Sequence, residues 1–203
     1  MKKLIQVLSA LLLMLSAFPQ IQAQDLNSNL VRNRLAVKYP YMLGSGTPFA
    51  YQYDYVRGSI LYDKVLYEDV LLNLNSEMGE VSIKINPEYH PTVLETNLVE
   101  WFTLGDRRFE NIGGTYYEVL SQGNAMTLYK KISQYYSEKI EGQQLKKNFT
   151  DINTFFVDSG EGMVQIKNAK AVYKNYPESR KEVKSALSML KGKEEKMKTA
   201  AVI

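Results

Sequence analysis

The sequence has no cysteine and only one histidine and one tryptophan among its 203 residues. Without cysteine, disulfides, zinc–thiolate sites, thiol nucleophiles and the lipid-modified cysteine of a bacterial lipoprotein are all excluded. Because His90 is the only imidazole, multi-histidine metal sites are excluded as well. A Ser-His-Asp triad would need His90, and no G-x-S-x-G motif is present to expose its serine. The fold therefore depends on a hydrophobic core alone.

Long apolar runs are confined to the N-terminus. Lys2 and Lys3 precede an apolar stretch over residues 4–18, which a proline closes before the small residue Ala23. This order is typical of a cleavable signal peptide, residues 1–23, with Gln24 as the mature N-terminus. A membrane anchor would need about 20 apolar residues. The sequence predicts a periplasmic or secreted protein, not a lipoprotein, with no transmembrane segment after processing.

A strong charge of one sign is also lacking. The chain carries 25 Lys plus Arg and 22 Asp plus Glu, for a formal charge of +3. Removal of Lys2 and Lys3 with the signal peptide leaves 23 − 22 = +1. Nucleic-acid binding needs clustered cations that neutralise phosphates, so this near-neutral balance predicts no nucleic-acid partner.

Aromatic residues are plentiful apart from tryptophan, with 15 tyrosines and seven phenylalanines, and both types favour strands. After a lead-in segment over 24–48, residues 49–176 alternate short apolar runs with turns rich in glycine and asparagine. We predict a mainly β (α+β) fold, an antiparallel β-meander forming a sandwich or partly open barrel, with a C-terminal amphipathic helix. The predicted turns of four hairpins lie at 75–79, 105–106, 121–124 and 158–162. The charged stretch 137–148 is predicted to be exposed.

The C-terminal segment, 177–203, is predicted to pack on the β domain. Ser179 and Glu182 have the spacing of a capping box, which marks a helix N-terminus. Apolar residues follow at helical spacing, and Gly192 is predicted to end the helix and leave a lysine-rich tail of low order. The predicted apolar stripe consists of Val183, Ala186, Leu187 and Leu190.

Few residues qualify as ligands of a metal. His90 could pair with Glu88 or Glu95 around an ion, but an exposed loop histidine is the better interpretation. Asp158 and Glu161 could contact calcium, but their loop lacks EF-hand spacing and fits a turn better. We predict no metal and no cofactor.

Candidate catalytic residues are equally scarce. Glu68 and Asp69 are neighbours on a predicted strand, so their side chains should point to opposite faces and form no shared site. The glycines of Gly44-Ser45-Gly46 and Gly113-Gly114 match no phosphate-binding motif. No catalytic residue is therefore assigned.

Several hydrophobic and turn motifs occur together along the chain. The motifs are Gly58–Tyr62, Tyr67–Leu74, Phe102–Phe109, Tyr116–Gly123, Leu128–Lys131, Phe155-Phe156 and the terminal helix. They span roughly Phe49 to Leu190 and resemble a family of small exported Bacteroidota envelope proteins. That resemblance implies a bacterial envelope setting and brings no catalytic residues with it.

Three functions fit this sequence, and the first is favoured. It is a non-enzymatic binding or accessory module that meets an unknown envelope macromolecule or ligand. The alternative is a carboxylate-dependent glycan hydrolase, which needs two suitably spaced acids in a cleft. A second alternative is a carrier of a small apolar ligand inside a barrel. An exposed aromatic patch or an uncovered sheet edge would support the first.

Overall fold

The computed structural model describes residues 42–51, 54–84, 90–123, 126–174, 181, 184–185, 188 and 192–202. Within these residues, eleven strands form one sheet in the order β1-β10-β9-β8-β7-β6-β2-β3-β4-β5, and β11 pairs with β10 beside β1. A 3₁₀ turn, Thr96–Leu98, precedes β6. The strands are β1 Met42–Leu43, β2 Val56–Tyr62, β3 Val65–Asn75, β4 Glu80–Lys84, β5 Thr92–Val93, β6 Val99–Leu104, β7 Arg107–Ile112, β8 Thr115–Gln122, β9 Thr127–Glu141, β10 Gln144–Asp158 and β11 Met163–Ile166.

The predicted fold class is confirmed. The strands are mostly antiparallel, and each of the four predicted hairpins is present as β3–β4, β6–β7, β8–β9 and β10–β11. Only β1 runs parallel to its neighbour, β10. The strands belong to one sheet, which does not close into a barrel.

The longest hairpin was not predicted. Strands β9 and β10 each contain 15 residues and pair along their whole length, from Thr127 with Asp158 to Glu141 with Gln144. The charged stretch 137–148 is the far end of this hairpin, and most of it is exposed, as predicted. The strands at this end cover little of the core, so their side chains are mostly charged. The sequence therefore shows no alternation of apolar and polar residues that would predict a strand.

The segment before β2 links two distant parts of the sheet. Gly44 N donates to Lys147 O on β10, and Ala50 N donates to Leu74 O on β3. The sheet therefore curls, with a concave inner face and a convex outer face. A Cβ on Gly46 would lie 2.3 Å from the carbonyl oxygen of Phe149, so only glycine permits this close approach.

One row of buried side chains crosses eight strands on the inner face. Cross-strand partners follow one another from β3 to β11, and the row is apolar except for a charged pair on β8 and β9. That pair lies between two hydrophobic clusters, one formed mainly by β2 to β8 and the other by β9 to β11 with the helices. The row is Tyr67, Ile60, Phe102, Phe109, Glu118, Lys130, Phe155 and Ile166.

Two helices cover the second cluster on the inner face. They are α1, Ala169–Lys174, and α2, Lys193–Val202. Val172 and Met197 are buried there against Phe155. Of the helices in the described residues, none has the length and apolar character needed to cross a bilayer.

The prediction for the C-terminus is partly wrong. The residues after Gly192 form helix α2 rather than a tail of low order, because Met197 has an apolar pocket to fill. The predicted stripe over 183–190 and its capping box lie outside the described residues.

Candidate functional site

The most tightly held polar group of the inner face is the pair Glu118–Lys130. Their side chains are each 4% exposed, and Lys130 Nζ lies 2.7 Å from Glu118 Oε2. The other carboxylate oxygen, Oε1, accepts a hydrogen bond of 2.9 Å from Arg107. The Tyr51 hydroxyl also donates to Glu118. Every oxygen of this buried carboxylate therefore has a donor, which burial requires.

Tyr51 lies over the charges that surround Glu118. Its ring is 4.1 Å from the Arg107 guanidinium carbon and 5.1 Å from Lys130 Nζ. Burial and the hydrogen bond to Glu118 raise the pKa of the Tyr51 hydroxyl. For Arg107, partial burial opposes the charge, but the hydrogen bond to Glu118 prevails and raises its pKa. Both groups therefore keep their protons at neutral pH.

Helix α2 completes this charged cluster. Glu194 Oε2 lies 3.5 Å from Lys130 Nζ, and Glu194 also pairs with Lys198 one turn later. The cluster thus brings Arg107, Lys130 and Lys198 together with Glu118 and Glu194. Both carboxylate oxygens of Glu118 are bonded within the protein, so the buried Glu118–Lys130 pair joins the two halves of the core.

The outer face of the sheet is different because both described helices lie on the opposite side. Three aromatic rings form a cluster there. Tyr117 makes edge contacts with Tyr129 at 6.2 Å and with Phe156 at 5.4 Å between ring centroids. Tyr117 and Phe156 are half-buried, and no described element covers them.

A groove opens next to this cluster, at the end of β6 and β7. Its volume is about 750 Å³. Trp101 supplies the aromatic surface, and the Arg108 guanidinium carbon lies 4.3 Å from the Trp101 ring centroid. Carboxylate and amide side chains complete the wall, namely Glu100, Glu110, Asn97 and Asn111.

Hydrogen bonds hold the floor of the groove. Arg108 Nε donates to Glu110 Oε1 at 3.1 Å, and the Tyr129 hydroxyl donates to Glu110 Oε2 at 2.9 Å. Burial and the hydrogen bond to Glu110 raise the pKa of Tyr129 to about 12. Asn111 is fixed by donating to Thr96 O and Val99 O. These bonds hold Glu110 and Asn111 in place, and Glu110 in turn anchors Arg108 through its Nε.

A bulge in β6 turns Glu100 toward solvent. Leu61 pairs with Trp101 and Tyr62 pairs with Val99, so Glu100 is the extra residue. Val99 is buried in the core while Glu100 is exposed beside the groove. Bulges often redirect side chains in this way. The groove therefore presents a ring, a guanidinium and carboxylates, a set suited to a polar ligand with an apolar face.

Comparisons with known proteins identify no relative of this chain. No family model, no curated protein and no solved structure matches the chain.

The residues weighed as metal ligands can be followed only where the structure describes them. His90 is exposed in a loop before β5, and Glu88 lies outside the described residues. Within the described ranges, no group of three or more His, Asp or Glu side chains could hold a metal ion. Asp158 Oδ1 accepts from Gly160 N at 2.8 Å and from Gly162 N at 3.3 Å, so it shapes the turn.

The remaining candidates also have structural roles. Asp69 has a positive φ of 56° at the β2–β3 irregularity and pairs with Arg57 at 2.7 Å. Gly113 and Gly114 form the two-residue β7–β8 turn, where both φ angles are positive. The predicted cleavage site at Ala23 and Gln24 lies outside the described residues.

Sequence reasoning missed the residues that define both polar sites. Glu118 shares the parity of Tyr116 and Leu120, but Tyr117 and Val119 make the opposite parity equally apolar, so the sequence gives no signal for its inward position. Trp101 and Glu110 are cross-strand partners, and the predicted hairpin of β6 and β7 could have paired them. No local signal identifies the bulge at Glu100.

Proposed function

We propose that the protein is an exported, non-enzymatic binding module that takes up a glycan on the outer face of its sheet. The observation that carries the proposal is the groove at Trp101, which lies on the face that neither described helix covers. Export is inferred from the N-terminal signal pattern, and the envelope setting from the resemblance to exported Bacteroidota proteins. The protein itself supplies a rigid sheet that fixes the groove.

The chemistry of the groove favours a polyhydroxylated ligand. A sugar ring has an apolar face that can contact an indole, and hydroxyl groups at its edge that donate and accept. Arg108 can donate from its terminal nitrogens, since its only described partners are Glu110 and the Trp101 ring. Glu100, which is exposed, can accept from hydroxyls.

Trp101 also provides the test, because it is the only tryptophan in the chain. Its fluorescence should change saturably when the mature protein is titrated with a panel of soluble oligosaccharides and peptidoglycan fragments. The variant Arg108→Ala should weaken any such binding about tenfold, since it removes a charged hydrogen-bond donor. Tyr135→Ser, on the same face but remote from the groove, should leave binding unchanged. A flat Trp101 signal with every probe would count against the proposal.

A glycan hydrolase is the second candidate, since the same groove brings Glu100 and Glu110 together. Catalysis would need one of them free to donate a proton and the other to act as base or nucleophile. Both oxygens of Glu110 already accept hydrogen bonds, from Arg108 and Tyr129, which favours binding over hydrolysis. Release of reducing ends by the wild type, lost in Glu100→Gln, would reverse this preference. No described cavity favours the third function, an apolar-ligand carrier.

A further inference from the structure

The edge of β10 has a gap between its two edge partners. At one end β1 pairs with Lys146 and Lys147, and Phe149 N donates to Ser45 O. At the other end β11 pairs with residues 155–158. No described strand pairs with residues 150–154 on this side, and residues 150–153 are all exposed.

The backbone groups that face the gap follow from the strand geometry. Because the N–H of Phe149 points away from β9, the N–H and C=O groups of Asp151 and Asn153 point the same way. Residues 150, 152 and 154 direct theirs to β9. The gap therefore offers two donors and two acceptors along roughly 17 Å of strand, at about 3.4 Å per residue.

The ends of the gap decide what can fill it. If a second copy docked with its own β10, a strand of 15 residues would have to fit a gap of five residues. Beyond the gap it would collide with β11 on one side and with residues 44–46 on the other. A short extended segment fits without such a clash, and its backbone would add a strand to the sheet.

The side chains around the gap set the preferred pattern of that segment. Ile152 is 49% exposed on the outer face, and Tyr135 is exposed on the same face of β9. Asp151 and Asn153 lie on the other face, where Asp151 accepts from Gln134. A residue opposite Ile152 should therefore be apolar, and its two neighbours should be basic or polar.

We propose that this gap binds an extended peptide segment of another protein, with the pattern polar–apolar–polar, by β-strand addition between β1 and β11. The proposal goes beyond the glycan groove, because it concerns another edge of the sheet and backbone rather than side-chain recognition. It gives the protein two separate binding surfaces.

The first test is amide hydrogen exchange of the mature protein, resolved by NMR. The amides of Asp151 and Asn153 should exchange rapidly, while those of Thr150 and Ile152, bonded to β9, should be protected. If the amides of Asp151 and Asn153 are as protected from exchange as those of their neighbours, the protein's own chain fills the gap and the proposal is overturned.

The second test uses the capped pentapeptide Thr-Lys-Val-Lys-Thr, which places valine opposite Ile152. Saturating peptide should slow exchange at Asp151 and Asn153. A control peptide N-methylated at the valine and at both lysines, which blocks pairing in either strand direction, should have no effect. Equal protection by the methylated peptide, or none by either, would refute strand addition. The Trp101 fluorescence test is independent of both results, so a failure here leaves the glycan proposal standing.

A matched pair of variants separates backbone from side-chain recognition. Asn153→Pro removes one N–H that faces the gap and none that bonds β9, while Asn153→Ala keeps the N–H. The proline variant should bind the pentapeptide about fivefold to tenfold more weakly, because one hydrogen bond is lost. The alanine variant should lose no more than about twofold, because it keeps the backbone N–H and loses only the side-chain contact. If the alanine variant loses as much as the proline variant, side chains carry the contact and strand addition is wrong.

Discussion

The two faces of the sheet have opposite characters. The inner face is closed by helices α1 and α2 and by the segment before β2, and it buries the Glu118–Lys130 ion pair. The outer face has no described helix above it and carries Trp101, the Tyr117 cluster and the exposed Tyr135. Stability is therefore concentrated on one face, while the other is available for ligands. The predictions below test that division.

Among changes to polar groups, the largest loss should come from breaking the buried ion pair. Lys130→Met leaves Glu118 buried with a smaller set of partners, and the unfolding free energy should fall by on the order of 3 kcal/mol. Denaturant melts would measure it. The double variant Glu118→Leu/Lys130→Met should recover most of the loss, since it removes the uncompensated charge. If the single variant melts like the wild type, the pair is not buried as described.

Removing the helix contact on the inner face should cost somewhat less. Met197 lies on the side of α2 that faces the sheet and is fully buried, so Met197→Ala should lower the unfolding free energy by about 2 kcal/mol. The control is Met78→Ala in an exposed turn, where the change should stay within about 0.5 kcal/mol. Equal effects at the two methionines would mean that α2 does not cover the core.

Alkaline pH should unfold the protein through its buried tyrosines. Burial raises the pKa of Tyr116 on the inner face to about 12, and Tyr129 on the outer face has a similar value. An unfolded tyrosine ionises near pH 10, so stability is complete below that pH and is lost as pH rises from 10 to 12. Each group should contribute a slope of roughly 1.4 kcal/mol per pH unit. Tyr116→Phe should flatten the slope in denaturant melts; an unchanged slope would contradict the burial.

The smallest effect is expected on the exposed outer face. Tyr135 is 61% exposed, and Tyr135→Ser should change the unfolding free energy by no more than about 0.5 kcal/mol. The matched inner-face change is Phe109→Ser, which should be severely destabilising because it empties a buried ring position. Similar melting curves for these two variants would remove the contrast between the faces.

The sequence predicted the hairpins in which apolar and polar residues alternate along each strand. The β3–β4 and β6–β7 hairpins combine apolar residues at every second position with turn residues between them. The distal β9–β10 hairpin was not predicted because backbone hydrogen bonds and charged side chains hold its strands together. Such strands show no alternation of apolar and polar residues in the sequence. Helix α2 was not predicted because, among its described residues, only Met197 is buried in the apolar cluster. One such residue does not produce the repeated apolar spacing by which a helix is recognised.

The candidate site was less predictable than the fold. The shortage of histidine and cysteine directed the predictions away from nucleophilic and metal chemistry, whereas the groove depends on neighbours across strands. Trp101 and Arg108 meet only through the β6–β7 register, and Glu100 reaches the rim only through a bulge. The gap at Asp151 and Asn153 depends on where β1 and β11 stop, which no local pattern encodes.

Residue-resolved covalent labelling of the mature protein in solution tests the division between the faces most directly. Hydroxyl radicals should modify Trp101, Tyr117 and Tyr135 on the outer face, and Met78 in its exposed turn, while Phe109 and Met197 on the inner face stay unmodified. The result that would contradict this account is modification of Met197 at the rate of Met78 together with protection of Trp101, because the covered face would then be the outer one.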